Sequence, residues 1–177
     1  HAMFGLDYVI FRPHNVYGER QNIWDRYRNV IGIFMNQALR RVPMTIFGDG
    51  NQTRAFSYIR DIVPTMIDSV NRPESFGHVF NIGGEHPYTI NQLAQEVGEA
   101  LQVDFSVSHT PERYEVKHAY CSHEKLESIF GKLPQTPLKN GLREMAEWAK
   151  IQSFQDPRQF KVLEIEKNLP EFWRSNR

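Results

Sequence analysis

Asn15 stands in the run Arg12-Pro13-His14-Asn15-Val16-Tyr17-Gly18, directly after the apolar stretch at 6–11. Its side-chain amide can offer a donor and an acceptor to phosphate or sugar oxygens, and the carboxyl edge of a buried strand is where α/β proteins meet ligands. Packing within the loop would use the same amide equally well. Asn29 opens a segment of helical spacing, so its simplest chemistry is that of an N-cap, and Asp61 is read the same way at the next helix. The seven histidines include no His-x-x-x-His pair, so scattered surface or core imidazoles are expected and no metal site. Cys121 is the lone cysteine, which rules out an internal disulfide and a multi-cysteine zinc site. With no nucleophile partner evident, it is expected to be buried or inert.

Charge limits what those residues can serve. The 21 basic and 21 acidic residues cancel, so any anion site must come from a few placed groups, and neither nucleic acid nor an anionic membrane is an expected partner. At 177 residues, 40% hydrophobic and 24% charged, the chain has the composition of one globular segment. It contains no apolar run near 18 residues and no signal-peptide pattern, so a cytoplasmic location is expected.

The elements that must position these groups alternate between strand and helix. Residues 6–11 are β-branched and aromatic almost throughout, as in a strand buried on both faces, and the loop at 12–18 follows. Val30, Ile33, Phe34 and Ala38 fall at helical spacing over 29–41, with Pro43 as the stop. Residues 44–47 form a short strand, 48–51 a turn, and 54–59 a strand returning as a hairpin. Met44, Ile46 and Phe47 would by themselves be core residues. A helix from Asp61 carries Ile62, Met66, Ile67 and Val70, and 79–82 is again a strand. Thr89 and Gln92 have capping-box spacing ahead of Ile90, Leu93, Ala94, Val97 and Leu101. A strand at 103–107 follows, then a helix capped by Ser122 with Leu126, Ile129 and Phe130 inward. Thr136-Pro137 supplies an N-cap and first-turn proline ahead of Leu138, Leu142, Met145, Ala146 and Ala149. From Ser153 the periodicity weakens. The class is α/β, and a first strand with no unit before it suggests the later part of something larger.

Three motifs give that suggestion a name: Arg12 to Gly18; Asn29-Val30-Ile31-Gly32; and Ile46-Phe47-Gly48-Asp49-Gly50-Asn51-Gln52-Thr53-Arg54-Ala55-Phe56-Ser57-Tyr58-Ile59-Arg60-Asp61. With Phe80-Asn81-Ile82-Gly83 following, the chain resembles the extended short-chain dehydrogenase/reductase family, in particular its NAD-dependent nucleotide-sugar epimerases and dehydratases, including UDP-glucose 4-epimerase. The resemblance extends to about Ala149. It implies that 1–177 is a single segment: the substrate-binding subdomain plus the last strands and helices of the parallel sheet of a Rossmann-type enzyme. The amino-terminal NAD-binding half would be missing, and residues 1–5 would be the end of its catalytic helix. No Gly-x-x-Gly-x-x-Gly is present and no tyrosine is followed four residues later by lysine, so the family's cofactor turn and Tyr-x-x-x-Lys pair are absent.

The resemblance also assigns contacts. It implies that Pro13 and His14 lie beside the nicotinamide of NAD, Asn15 on the substrate, and Asn29 and the Val30 amide at the pyrophosphate. Met44, Thr45 and Phe47 would flank uracil, with Ile46 turned into the core. Arg54 would fork onto the diphosphate, and Arg113 and Glu115 would hold phosphate and ribose, although Arg-Tyr-Glu is one residue shorter than the family's late Arg-x-x-Asp/Glu. The expected function is nucleotide-sugar binding, with UDP-sugar the favoured ligand, in an NAD-dependent epimerase/dehydratase. The segment alone is expected to be inactive and to bind NAD weakly. A stand-alone nucleotide-binding or protein-interaction module without catalysis is the alternative. Residues 8–11, stripped of neighbouring strands, would expose apolar surface and favour homo-oligomers.

Overall fold

The computed structural model describes residues 1–25, 27 and 29–152; the weakly periodic tail from Ser153 lies outside them. Short parallel strands alternate with helices. β1 (Ile10–Pro13) pairs with β6 (Val79–Ile82), and β2 (Val16–Tyr17) with β5 (Ser57–Tyr58), both in parallel. β3 (Met44–Phe47) pairs in parallel with β8 (Val107–Thr110). β4 (Thr53–Ala55) lies between β7 (Pro87–Thr89), antiparallel, and β9 (His118–Ala119), parallel. The helices are α1 (Val30–Leu39), α2 (Ile59–Asp68), α3 (Ile90–Leu101), α4 (Glu124–Phe130) and α5 (Leu138–Lys150). Among the described residues no helix is long and apolar enough to cross a membrane.

Two apolar clusters organise these elements. In the larger, Phe34 and Met35 of α1, Leu93 and Val97 of α3, and Leu142 and Met145 of α5 close over Met44 and Ile46 of β3. The helix signals hold here: Asn29 Oδ1 accepts from the Ile31 amide at 3.1 Å, and Thr89 and Gln92 form both bonds of the capping box. The smaller cluster gathers Ile62 of α2, Phe80 and Ile82 of β6, and Leu126 of α4, with Phe11 and Phe130 packed against it.

Several expectations are corrected. The first strand is displaced from 6–11 to Ile10–Pro13 and is not buried on both faces: Ile10 is 46% and Leu6 72% exposed. Among the described residues β1 pairs only with β6, on one edge, and elements packed on its faces leave Ile10 partly in water. The hairpin at 54–59 does not form. Phe56 divides that stretch into two strands whose partners, β7 and β9 for one and β2 for the other, are distant in sequence. α2 begins at Ile59, before Asp61, and leaves Ile67 and Val70 exposed. The strand expected at 103–107 is β8, because Val107 must stand opposite Met44. Thr136 does not cap α5. Its amide and hydroxyl donate to the Asp61 carboxylate at 2.8 and 2.7 Å, so Asp61 ties α2 to the entry of α5. Ser122 comes closest to its expected part: its Oγ accepts from Glu124 N at 3.3 Å, one residue ahead of the N-cap position, His123.

Candidate functional site

Between α1 and the strands β3 and β4 lies a cleft of about 330 Å³. The two-residue alternation of β3 decides which of its side chains face it. Thr45 and Phe47 are half-buried and line the cleft, Ile46 is fully buried in the core yet also reaches the lining, and Met44 is fully buried away from it. Met44 is therefore the one expected nucleotide contact missing from the lining. Asn15, Asn29, Val30, Arg54, Arg113 and Glu115 are all brought together there.

Glu115 is the hub of the polar wall. Its Oε2 accepts from Arg54 at 3.1 Å and from Arg113 at 3.2 Å, and its Oε1 accepts from Gln52 Nε2 at 3.2 Å. Gln52 also donates to the Phe47 carbonyl at 2.9 Å, while the Arg113 guanidinium lies 4.5 Å from the centre of the Phe47 ring. One Arg54 nitrogen donates to the Thr53 carbonyl at 2.8 Å, which fixes the direction of the side chain. Two cations therefore converge on one carboxylate beside an aromatic face. Any anion that replaced Glu115 there would find planar, bidentate donors.

The asparagines are more committed. Asn15 Nδ2 donates to the Ala55 carbonyl at 2.9 Å, leaving its oxygen for another partner. Asn29 caps α1 with its oxygen and donates to the Val16 carbonyl with its nitrogen, so the cap reading is what its side chain performs. Gln37 grips Thr45 through two bonds of 3.1 Å. Asn36 was missed at the sequence level: it is buried, lines the cleft, and its Nδ2 has no hydrogen-bond partner among the described residues. The signal was present, since Asn29, Ile33 and Asn36 recur at i, i+4 and i+7 on one helix face.

Pro13 and His14 lie outside the cleft lining, at the carboxyl end of β1 and just beyond it. Pro13 is exposed and His14 half-buried. The sequence has no glycine-rich turn to hold the rest of a dinucleotide. Burial, reinforced by the Asp61 charge, drives the Tyr17 phenol far up, and burial with Glu19 alongside pushes Tyr58 up to about 12.

The parallel α/β frame is of the Rossmann-type epimerase class. The UDP-glucose 4-epimerase of Thermotoga maritima, solved with UDP-glucose, aligns with a TM-score of 0.74 at 30% identity over 84% of this chain and 48% of that one. A UDP-glucuronic acid 4-epimerase from Bacillus cereus, solved with UDP-glucuronic acid and NAD, gives 0.74 at 27% identity over 85% and 47%. The chain belongs to the NAD dependent epimerase/dehydratase family, whose model residues 1–83 match. A putative UDP-glucose 4-epimerase from Methanocaldococcus jannaschii is 33% identical over 152 residues, 84% of this chain and 47% of that protein. The chain thus spans about half the length of these relatives.

Proposed function

We propose that this chain is the substrate-binding portion of an NAD-dependent nucleotide-sugar epimerase/dehydratase, and that a UDP-sugar occupies the cleft. The observation that carries the reading is the convergence of Arg54 and Arg113 on Glu115 beside Phe47. Each part of a nucleotide sugar has a matching group. The Phe47 ring offers a stacking face to the base, next to the Thr45 hydroxyl. The arginines meet the diphosphate, and the amino terminus of α1 at Val30 adds its positive helix end. Glu115 holds the forks aligned and yields one of them as phosphate enters, while keeping an oxygen for a ribose hydroxyl. Asn15, with its oxygen still available, faces the sugar side.

Bound NAD would supply the hydride acceptor for transient oxidation of the sugar, and Pro13 and His14 are the residues here that would touch it. Firm anchoring by this chain leaves the sugar as the part that can move, which an epimerase needs.

Titration calorimetry tests the reading. UDP and UDP-sugar should bind alike, since the main contact is to phosphate, while NAD should bind weakly and no turnover should occur with this chain alone. Arg54→Ala should cost UDP roughly 1.5–3 kcal/mol, the range for hydrogen bonds to charged groups. UDP binding unaffected by that change would remove the main support for the cleft as a nucleotide site.

A further inference from the structure

Away from the cleft, the fold brings together three side chains that the sequence separates. His14 follows β1, while Cys121 and His123 stand two residues apart between β9 and α4. Cys121 Sγ is 3.5 Å from His14 Nδ1 and 3.5 Å from His123 Nε2, and all three ligand atoms lie within 4.8 Å of one another. The expectation of scattered histidines and a partnerless cysteine is corrected at these positions. We propose that His14, Cys121 and His123 form a binding site for a divalent cation of the zinc class, with the fourth position open to water or another donor.

Bond lengths favour such an ion. Tetrahedral zinc with Zn–S of about 2.3 Å and Zn–N of about 2.0–2.1 Å sets sulfur and nitrogen about 3.5 Å apart, which is the separation found twice here. The outer partners also agree. His14 Nε2 lies 3.0 Å from the Gly84 carbonyl, which can only accept, so Nε2 carries the proton and Nδ1 turns its lone pair toward the sulfur. His123 Nδ1 lies 3.8 Å from Glu85 Oε1, an ion-pair distance, and its Nε2 is the nitrogen beside the sulfur. A carbonyl behind one imidazole and a carboxylate behind the other is the usual support of metal-bound histidines.

Hydrogen bonding alone holds this arrangement weakly: the thiol can donate to the unprotonated His14 Nδ1, and His123 Nε2–H can donate in turn to the sulfur, but a thiol is a poor donor and a poor acceptor. A single cation accepts all three lone pairs, and the thiol proton passes to solvent as sulfur ligates. Gly83 contributes space, since a Cβ there would collide with the His14 ring and Ser57. None of the three ligands lines the cleft, so the proposal stands apart from the nucleotide-sugar reading and shares only His14 with the proposed cofactor contact. Ligation through Nδ1 with Nε2 on Gly84 would leave only the face or carbon edge of His14 for a cofactor ring.

The experiment is a cobalt titration of the chelator-stripped chain. One Co²⁺ per chain should bind with a thiolate-to-cobalt charge-transfer absorption, displaced by zinc. Because Cys121 is the only cysteine, that absorption reports this site alone. Cys121→Ser should abolish it. His14→Gln and His123→Gln should each weaken cobalt at least roughly tenfold, and Glu85→Ala, which removes an outer partner, by about tenfold. His78→Gln should change nothing. Absence of the charge-transfer absorption at excess cobalt would overturn the proposal, even where a variant fails to fold. So would cobalt affinity unaltered by both ligand-histidine changes.

Discussion

The two apolar clusters of this chain are built from the same kinds of element yet differ in closure. Around the larger one, α1, α3 and α5 pack on one another and on β3, so that Phe34, Leu93 and Leu142 have no exposed surface. The smaller one buries four residues completely among those described, and the elements around it leave Ile10, Ile67 and Val70 in water. Chemistry divides along the same line. The cleft with its arginine–glutamate wall rises from the closed cluster, whereas the cysteine–histidine group sits where β1 and β6 end beside the open one. A covered core supplies the rigid walls a nucleotide site needs. The open side holds its groups by loops.

Core truncation should expose that difference most strongly. Phe34→Ala in the closed cluster should cost about 3–5 kcal/mol in chemical denaturation. Leu126→Ala in the open one should fall at the lower end of the roughly 2–5 kcal/mol range for leucine, because a loosely covered site can relax. Val70→Ala should change stability by no more than about 0.5 kcal/mol. Equal losses for Phe34 and Leu126 would erase the distinction between the clusters.

Within the cleft, Arg54→Lys should recover only part of the loss caused by alanine, since lysine keeps the charge without the fork. Arg113→Ala should weaken UDP less than Arg54→Ala does, because its side chain is more exposed, 37% against 14%, and a solvated charge contributes less. If Arg113 mattered more than Arg54, the phosphate anchor would have to be moved along the wall.

The closed cluster also predicts an alkaline limit. Tyr17 and Tyr58 both have phenol pKa values raised by burial, Tyr58 to about 12. The unfolded chain therefore releases those protons first. Their contribution is fully present below the free-tyrosine value of about 10 and is lost as pH rises through the folded values. Denaturation midpoints should fall above about pH 10 together with the appearance of phenolate absorbance. A midpoint flat to pH 12 would contradict that burial.

The smallest effect belongs to the open side. Exposed Tyr8 and Ile10 and the uncovered edge of β1 should give weak, concentration-dependent self-association, reduced by Ile10→Lys. Light scattering that stays monomeric at high concentration would show that this edge is tolerated alone.

Local sequence determined the helices and the starts of α1 and α3. Asn29 and the Thr89/Gln92 box cap as their spacing says, and the apolar stripes of α3 and α5 are the buried ones, because helical bonds and caps join residues a few positions apart. It also determined most of the cleft, since the motifs that place Asn15, Asn29, Thr45, Phe47 and Arg54 are short and carry their own register. The tertiary structure decided the rest. A strand's pairing depends on segments far along the chain, so the 54–59 stretch could become two strands of different sheets, and 6–11 could give way to Ile10–Pro13. The same distance hid Glu115 between two arginines, Asp61 beneath Thr136, and Cys121 between His14 and His123, since nothing local specifies which side chains meet when separate elements pack.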